Sequence, residues 1–115
     1  MNQATVLILS DDPDVAQAVV GRWQAERSVP GFVLLSSQLW TPDRAAVDLA
    51  VVGAVDAAQR DAALAGFDAL QTPVIYVAAD RSEMQACRSS RALTVAARDG
   101  WVESVVILGA EVLKR

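Results

Sequence analysis

Short apolar runs alternate along the chain with segments whose hydrophobic residues recur at helical spacing. Runs without polar interruption are typical of strands buried on both faces of a parallel sheet. The pattern predicts a flavodoxin-like, doubly wound α/β domain with a five-stranded parallel sheet in the order 2-1-3-4-5. The five predicted strands are Thr5–Leu9, Phe32–Ser36, Asp48–Val52, Val74–Ala78 and Ala92–Ala96.

Residues that favour helix starts stand before two of the helical segments. Asp12 followed by Pro13 predicts the N-cap and the first position of the first helix. Asp56, with Gln59 three residues later, has the spacing of a capping box and predicts a helix that runs to about Phe67.

The last two helices are predicted from the same kind of signal. Ser82 with Gln85 suggests a second capping box, which would open a short helix ending near Ser90. Asp99 is the predicted N-cap of the final helix.

The connection between the second and third strands departs from the alternating pattern. Eleven residues separate Ser36 from Asp48, too few for a full helix with two loops. We expect a single helical turn, Pro42–Ala46, or an irregular loop. Trp40 is predicted to pack over the sheet in place of the missing helical face.

Length and composition bound the class of protein. The 115 residues predict one domain, 1–115, with a core of useful size. A net charge of −4 without a basic cluster argues against direct nucleic-acid binding. No apolar run approaches the ~18 residues of a membrane helix, so no membrane association is predicted.

Several features that the sequence lacks bear on where the protein is located and on whether it is an enzyme. There is no signal-peptide pattern, and Cys87 is the single cysteine, so we expect a cytoplasmic protein in which Cys87 is a small core residue. Histidine is absent, and no Ser or Cys nucleophile stands beside a base. An enzyme is therefore not predicted, nor is a cofactor.

Three segments, in order and at suitable spacing, resemble the receiver domains of bacterial response regulators. Val6–Asp12 is similar to the first strand and acidic pair of that family, Val47–Gly53 to its third strand and Thr72–Ala79 to its fourth. The resemblance covers essentially the whole chain. It implies the same fold and a role in two-component, phosphorelay-type signal transduction.

The resemblance also implies where the chemistry of the family would lie. Asp11 and Asp12 match the acidic pair that helps to hold Mg²⁺. Gly53 stands where the family has the aspartate that accepts a phosphoryl group from a kinase histidine. A glycine cannot accept one, so the resemblance implies a degenerate member, a pseudo-receiver.

The switch positions of the family are unmatched as well. Ala78 stands at the position of the Ser or Thr that ends the fourth strand. The position of the Lys after the fifth strand falls near Ala96 or Ala97, and Arg98 is the nearest cation. Arg98 is either a solvated loop residue or a partner of one of the two aspartates.

The acidic residues allow more than one interpretation. Asp11 and Asp12 form either a residual ligand site, with weak Mg²⁺ binding, or a helix cap with a solvated neighbour. Asp56 is either a displaced phosphoacceptor or only a capping residue. Asp48, at the opposite end of the sheet, is expected to be structural.

The final helix carries two adjacent apolar stripes, more than one buried face requires. It is either deeply buried or, as the resemblance favours, a surface for a homodimer, a histidine kinase or an output domain. The helix runs to Lys114–Arg115, so the domain is a candidate piece of a larger signalling protein. The predicted interface residues are Trp101, Val105, Leu108 and Val112, and the second stripe is Val102, Val106, Gly109 and Leu113.

The leading hypothesis is therefore a non-phosphorylatable, receiver-like interaction module. One alternative is an atypical phosphoacceptor that uses Asp56 or Asp11. Another is a small-ligand sensor that uses the pocket beside the first strand, where this fold binds ligands.

Overall fold

The structure is a computed structural model and describes residues 3–41, 43, 46–86 and 92–114. All strand pairs are parallel, and the sheet order is β2-β1-β3-β4-β5, so the predicted flavodoxin-like topology is confirmed. The elements are β1 Thr5–Leu9, α1 Pro13–Trp23, β2 Gly31–Leu35, β3 Leu49–Gly53, α2 Ala57–Ala69, β4 Val74–Ala78, α3 Arg81–Ala86, β5 Leu93–Ala96 and α4 Trp101–Lys114.

Three predicted strands differ from the structure by one residue: β2 is shifted as a whole toward the N-terminus, β3 is shifted as a whole toward the C-terminus, and β5 is shorter at its start. β2 begins at Gly31, because the Gly31 N–H donates to the Ala4 carbonyl at 2.8 Å and starts the ladder. β3 includes Gly53, which pairs with Val77 on β4. β5 begins at Leu93 instead of Ala92.

The caps of the first two helices are as predicted. An Asp12 carboxylate oxygen accepts from the Asp14 N–H at 2.9 Å, and Pro13 occupies the first helical position. Asp56 accepts from the Gln59 N–H at 2.9 Å and opens α2.

The predicted caps of the last two helices are wrong. Asp80, and not Ser82, caps α3, since it accepts from the Glu83 N–H at 2.9 Å. The Glu83 carboxylate accepts from the Ala79 N–H at 2.7 Å, one residue before the cap, so Asp80 and Glu83 open the helix two residues earlier than expected. Gly100, with φ +85°, directly precedes α4 in place of Asp99.

Side chains pack on both faces of the sheet, as a doubly wound fold requires. One buried cluster joins the sheet to α1 and α4, and its larger members are Ile8, Val19, Trp23, Leu49, Ile75 and Val105. The other joins the sheet to α2 and contacts Met84 of α3, and its larger members are Leu7, Leu9, Leu64, Phe67 and Tyr76.

Trp40 replaces a helix between β2 and β3, as predicted. Its ring meets Phe67 edge-on, with centroids 5.5 Å apart, and it packs against the α2 side of the sheet. The ring also lies on Gly66, where an added Cβ would fall 2.7 Å from Trp40 Cη2. Among the described residues between β2 and β3, Asp43 alone is helical, with 3₁₀ geometry inside the predicted turn Pro42–Ala46. Part of the predicted turn Pro42–Ala46 lies outside those residues, as do Cys87 and the predicted helix end at Ser90.

Within the described part of the chain, no helix is both long enough and apolar enough to cross a membrane.

Candidate functional site

The carboxyl ends of β1 and β3 meet at the middle of the sheet, where ligands bind in folds of this topology. The Asp11 N–H donates to the Ala54 carbonyl at 3.3 Å and so links the loops that follow the two strands. The structure therefore brings Asp11, Asp12 and Gly53 to one end of the sheet, as their positions after β1 and β3 predict.

Asp11 is fixed by the loop that follows β2. One carboxylate oxygen accepts from the Ser37 N–H at 2.8 Å, and the other accepts from Ser37 Oγ at 2.7 Å. Asp11 is thus more than a solvated neighbour of the cap. Ser37 was not predicted as a site residue, because a hydrogen bond between two loops leaves no periodic pattern in the sequence.

Asp12 is a capping residue, and its carboxylate faces the backbone of α1. Ser10 supports the same turn, since its hydroxyl donates to the Asp12 carbonyl and accepts from the Asp12 N–H, both at 3.1 Å. Both members of the acidic pair therefore stabilise local backbone. No group of three or more acidic, cysteine or histidine side chains suited to a metal occurs among the described residues.

The position of Gly53 is enclosed by apolar side chains. A Cβ added there would lie 3.2 Å from Val77 Cβ and 3.8 Å from Val15 Cγ1. The next residue, Ala54, has φ +55°, a left-handed conformation that is uncommon for a residue with a side chain. A side chain at position 53 would therefore crowd Val77, which would have to shift by a few tenths of an ångström, while its other contacts would be ordinary ones.

The predicted switch positions carry no polar side chain that faces the acidic pair. Ala78 is buried and pairs in register with Ala96, and the Ala97 N–H donates to the Ala78 carbonyl at 2.8 Å. Arg98 is exposed and forms no ion pair with Asp11 among the described residues. The hypothesis that Arg98 pairs with an aspartate at this end of the sheet is therefore wrong.

The other acidic candidates have structural partners. Asp48 accepts from the Thr5 N–H at 2.7 Å, and its own N–H donates to the Thr5 carbonyl at 3.0 Å. It ties the start of β3 to β1, which confirms the structural role that was predicted. A carboxylate oxygen of Asp56 accepts the capping hydrogen bond at the start of α2. The geometry therefore gives no support to Asp56 as a displaced phosphoacceptor.

Arg60 and Tyr76 are buried on the α2 side of the sheet, and this polar pair was not predicted. Arg60 of α2 is 7% exposed, and its Nε donates to Asp61 at 3.1 Å. Tyr76 is fully buried, and its hydroxyl lies beside Arg60 and Glu83 without a hydrogen bond of ordinary geometry. The sequence held a signal for Arg60, which shares the helical spacing of the buried Ala63, Leu64 and Phe67.

Tyr76 should titrate late, and its ionisation should destabilise the folded protein. Burial raises the pKa of Tyr76 to about 12 from its ordinary 10.0; Glu83 adds to the rise and Arg60 opposes it. Because the folded pKa is the higher, the stability from the neutral hydroxyl is complete below the ordinary pKa. It is lost toward pH 12, by about 1.4 kcal/mol per pH unit.

The measurement is the absorbance of tyrosinate at 295 nm, since the chain has a single tyrosine. In the folded protein the transition should occur near pH 12, and in urea at its ordinary pKa. Tyr76→Phe is the control, because its free energy of unfolding should fall less over this alkaline range. A folded protein whose tyrosine titrates at the ordinary pKa would contradict the prediction.

The predicted interface on α4 is partly corrected by its burial. Val105 is completely buried and is not available to a partner. Trp101, Leu108 and Val112 are half-buried and pack against the core on the α1 side of the sheet. Both predicted stripes are thus used by the fold, and Ile107, 58% exposed, is the large apolar residue that α4 presents to solvent.

Two of the surface clefts lie beside the predicted site residues. One, of about 370 Å³, runs beside β5 between α3 and the start of α4, and Met84, Thr94, Trp101 and Leu108 line it. The other, of about 290 Å³, lies between α1 and β2, with Asp11 and Leu34 in its wall.

Comparisons of the chain with protein-family models, with curated proteins and with solved structures find no match. The fold is therefore defined by the topology itself, and the functional argument depends on the site.

Proposed function

We propose that this chain is a receiver-like interaction module that does not accept a phosphoryl group. The proposal depends on the glycine at position 53 and its crowded surroundings. A Cβ added there would stand within van der Waals distance of Val77 and Val15. The strand order and the acidic pair at the end of β1 support the receiver-like part of the proposal.

The surroundings of Gly53 fit a module without phosphotransfer. Asp11 is engaged by Ser37 and Asp12 by the α1 backbone, so neither carboxylate is held ready for an ion. Mg²⁺ is usually bound by one or two carboxylates together with phosphate oxygens. Without an acceptor carboxylate, this end of the sheet has no covalent step to perform.

The surface that we propose for docking is the face formed by α3, β5 and α4. Its cleft is lined by half-buried Trp101 and Leu108, and a side chain of a partner that entered the cleft would bury both further. The proposed partners are a second copy, a histidine kinase or an output domain, and the proposed setting is bacterial signal transduction in the cytoplasm.

A sensor for small ligands is the weaker candidate. The cleft beside Asp11 measures about 290 Å³, at the lower limit of ligand pockets, which span about 300–1,000 Å³. The acidic wall also disfavours the phosphate-bearing ligands that bind helix N-termini in this fold.

The experiment is incubation with acetyl phosphate and Mg²⁺, followed by intact-mass spectrometry. We expect no gain in mass, because no carboxylate stands at the acceptor position. A gain of one phosphoryl group that is abolished by Asp56→Asn or Asp11→Asn would overturn the proposal in favour of an atypical phosphoacceptor. Asp48→Asn is a matched control, since Asp48 lies at the other end of the sheet.

A further inference from the structure

The outer edge of β2 is open. β2 pairs with β1 on one side, and no strand of the described residues pairs with its other side. Edge strands in monomeric proteins are usually protected by charged side chains, proline, bulges or a covering element, because their free N–H and C=O groups bind other strands. Within the described residues, none of these covers β2.

The register shows which backbone groups face outward. The Gly31 N–H donates to the Ala4 carbonyl, and the Leu35 carbonyl accepts from the Ser10 N–H, so the odd-numbered residues of β2 bond to β1. Because the direction of these groups alternates along a strand, Phe32 and Leu34 point both N–H and C=O away from the sheet. Two complete donor–acceptor pairs are therefore available at this edge.

The side chains of the same strand are unusually exposed for apolar residues. Val33 is 39% exposed, on the face of the sheet that α2 and Trp40 cover elsewhere. Leu34 is 52% exposed, on the face that α1 covers only in part. Both faces of β2 thus offer apolar contact beside the free backbone groups.

Charge favours pairing of this edge with its own copy. The chain carries a net charge of −4, so most surfaces of two copies repel each other. The stretch from Ser28 to Pro42 contains no charged residue, although 21% of the chain is charged. Two copies that meet along β2 bring no like charges opposite each other within the strands.

We infer that two copies of this chain pair antiparallel along β2, about a two-fold axis at Val33, to form one continuous sheet. In that register Phe32 of each copy exchanges two hydrogen bonds with Leu34 of the other, which gives four in all. The two Val33 residues then face each other as a close, non-hydrogen-bonded pair, with Cα atoms about 4.5 Å apart. The arrangement uses every outward backbone group of Phe32 and Leu34.

The contact is small. Two strands of five residues bury less than the roughly 1,200–2,000 Å² of a stable interface. The dimer is therefore weak and forms only at high protein concentration.

The test is sedimentation equilibrium from low micromolar to millimolar concentration. The parent should pass from monomer to dimer. Val33→Lys and Val33→Glu should each weaken the dimer up to about fivefold, since each places like charges directly opposite. An equal mixture of the two variants should pair again, because the two-fold register sets Lys against Glu. Ile107→Lys on α4 is the matched control and should dimerise like the parent.

Each result of the sedimentation experiment either supports or overturns the inference. A parent that stays monomeric overturns the inference and leaves the proposed docking face to a different partner. A dimer that Ile107→Lys disrupts but Val33→Lys does not would place the contact on α4. A mixture of the charged variants that does not pair overturns the two-fold register.

Amide hydrogen exchange tests the same register without substitution. As concentration rises, the Phe32 and Leu34 amides should gain protection, while the Val33 amide, already bonded to β1, should not change. Equal gains at all three, or at none, contradict the inference.

Discussion

Replacing Gly109 with alanine should lower the free energy of unfolding by about 2–4 kcal/mol. Gly109 lies inside α4, where an added Cβ would fall 2.4 Å from Trp23 Cη2 and 3.1 Å from Leu49 Cδ2. Trp23 is 1% exposed and Leu49 is completely buried, so neither can turn aside into solvent. Alanine favours a helix over glycine by about 1 kcal/mol, and the steric conflict exceeds that gain.

Urea unfolding followed by circular dichroism measures the effect of Gly109→Ala. Gly21→Ala in α1 is a matched control, because nothing lies within 4 Å of its Cβ position. That variant should be more stable than the parent by about 0.5–1 kcal/mol. If Gly109→Ala is as stable as Gly21→Ala, the close contact of α4 with Trp23 is wrong.

Gly53→Asp restores the acceptor residue of the resembled family, and we expect it to destabilise the protein without enabling phosphorylation. The new Cβ would lie 3.2 Å from Val77 Cβ and 3.6 Å from the Val77 carbonyl oxygen, at a position that is buried. Crowding and desolvation together should cost about 2–4 kcal/mol. Gly53→Ala separates the two causes, because it adds only the Cβ and should cost about 1 kcal/mol.

Acetyl phosphate with Mg²⁺ should leave the mass of Gly53→Asp unchanged. Asp11 would still be held by Ser37, and Ala78 offers no hydroxyl at the switch position. A variant that is both as stable as the parent and phosphorylated would show that the site is intact except for one residue. It would then support recent loss of a working acceptor instead of a rebuilt end of the sheet.

The strands and the order of the sheet could be predicted because the information is local and repeated. Each strand is an apolar run, and the alternation with helices leaves few ways to arrange a parallel sheet. The caps by Asp12 and Asp56 followed from spacing alone. The cap of α3 failed because Asp80 and Ser82 are both good cap residues and the sequence does not rank them.

The candidate site was harder to predict because its contacts join distant loops. Ser37 binds Asp11 across 26 residues of sequence, and no pattern marks that pair. Gly53 could be singled out from the sequence, but its closure by Val77 and Val15 depends on packing between β4 and α1. The same limit explains the α4 prediction, since helical spacing alone does not show how much of a stripe the sheet will cover.

The contact of α4 with Trp23 has a consequence for synthesis of the chain. α1 and all five strands are synthesised before α4, which packs on the same side of the sheet as Trp23. Domains begin to fold while the ribosome is still adding about 5–20 residues per second. A nascent chain halted before α4 would expose an indole and a face of the sheet, and so would be a natural substrate for chaperones. Once α4 is added, it covers the Trp23 indole and this face of the sheet.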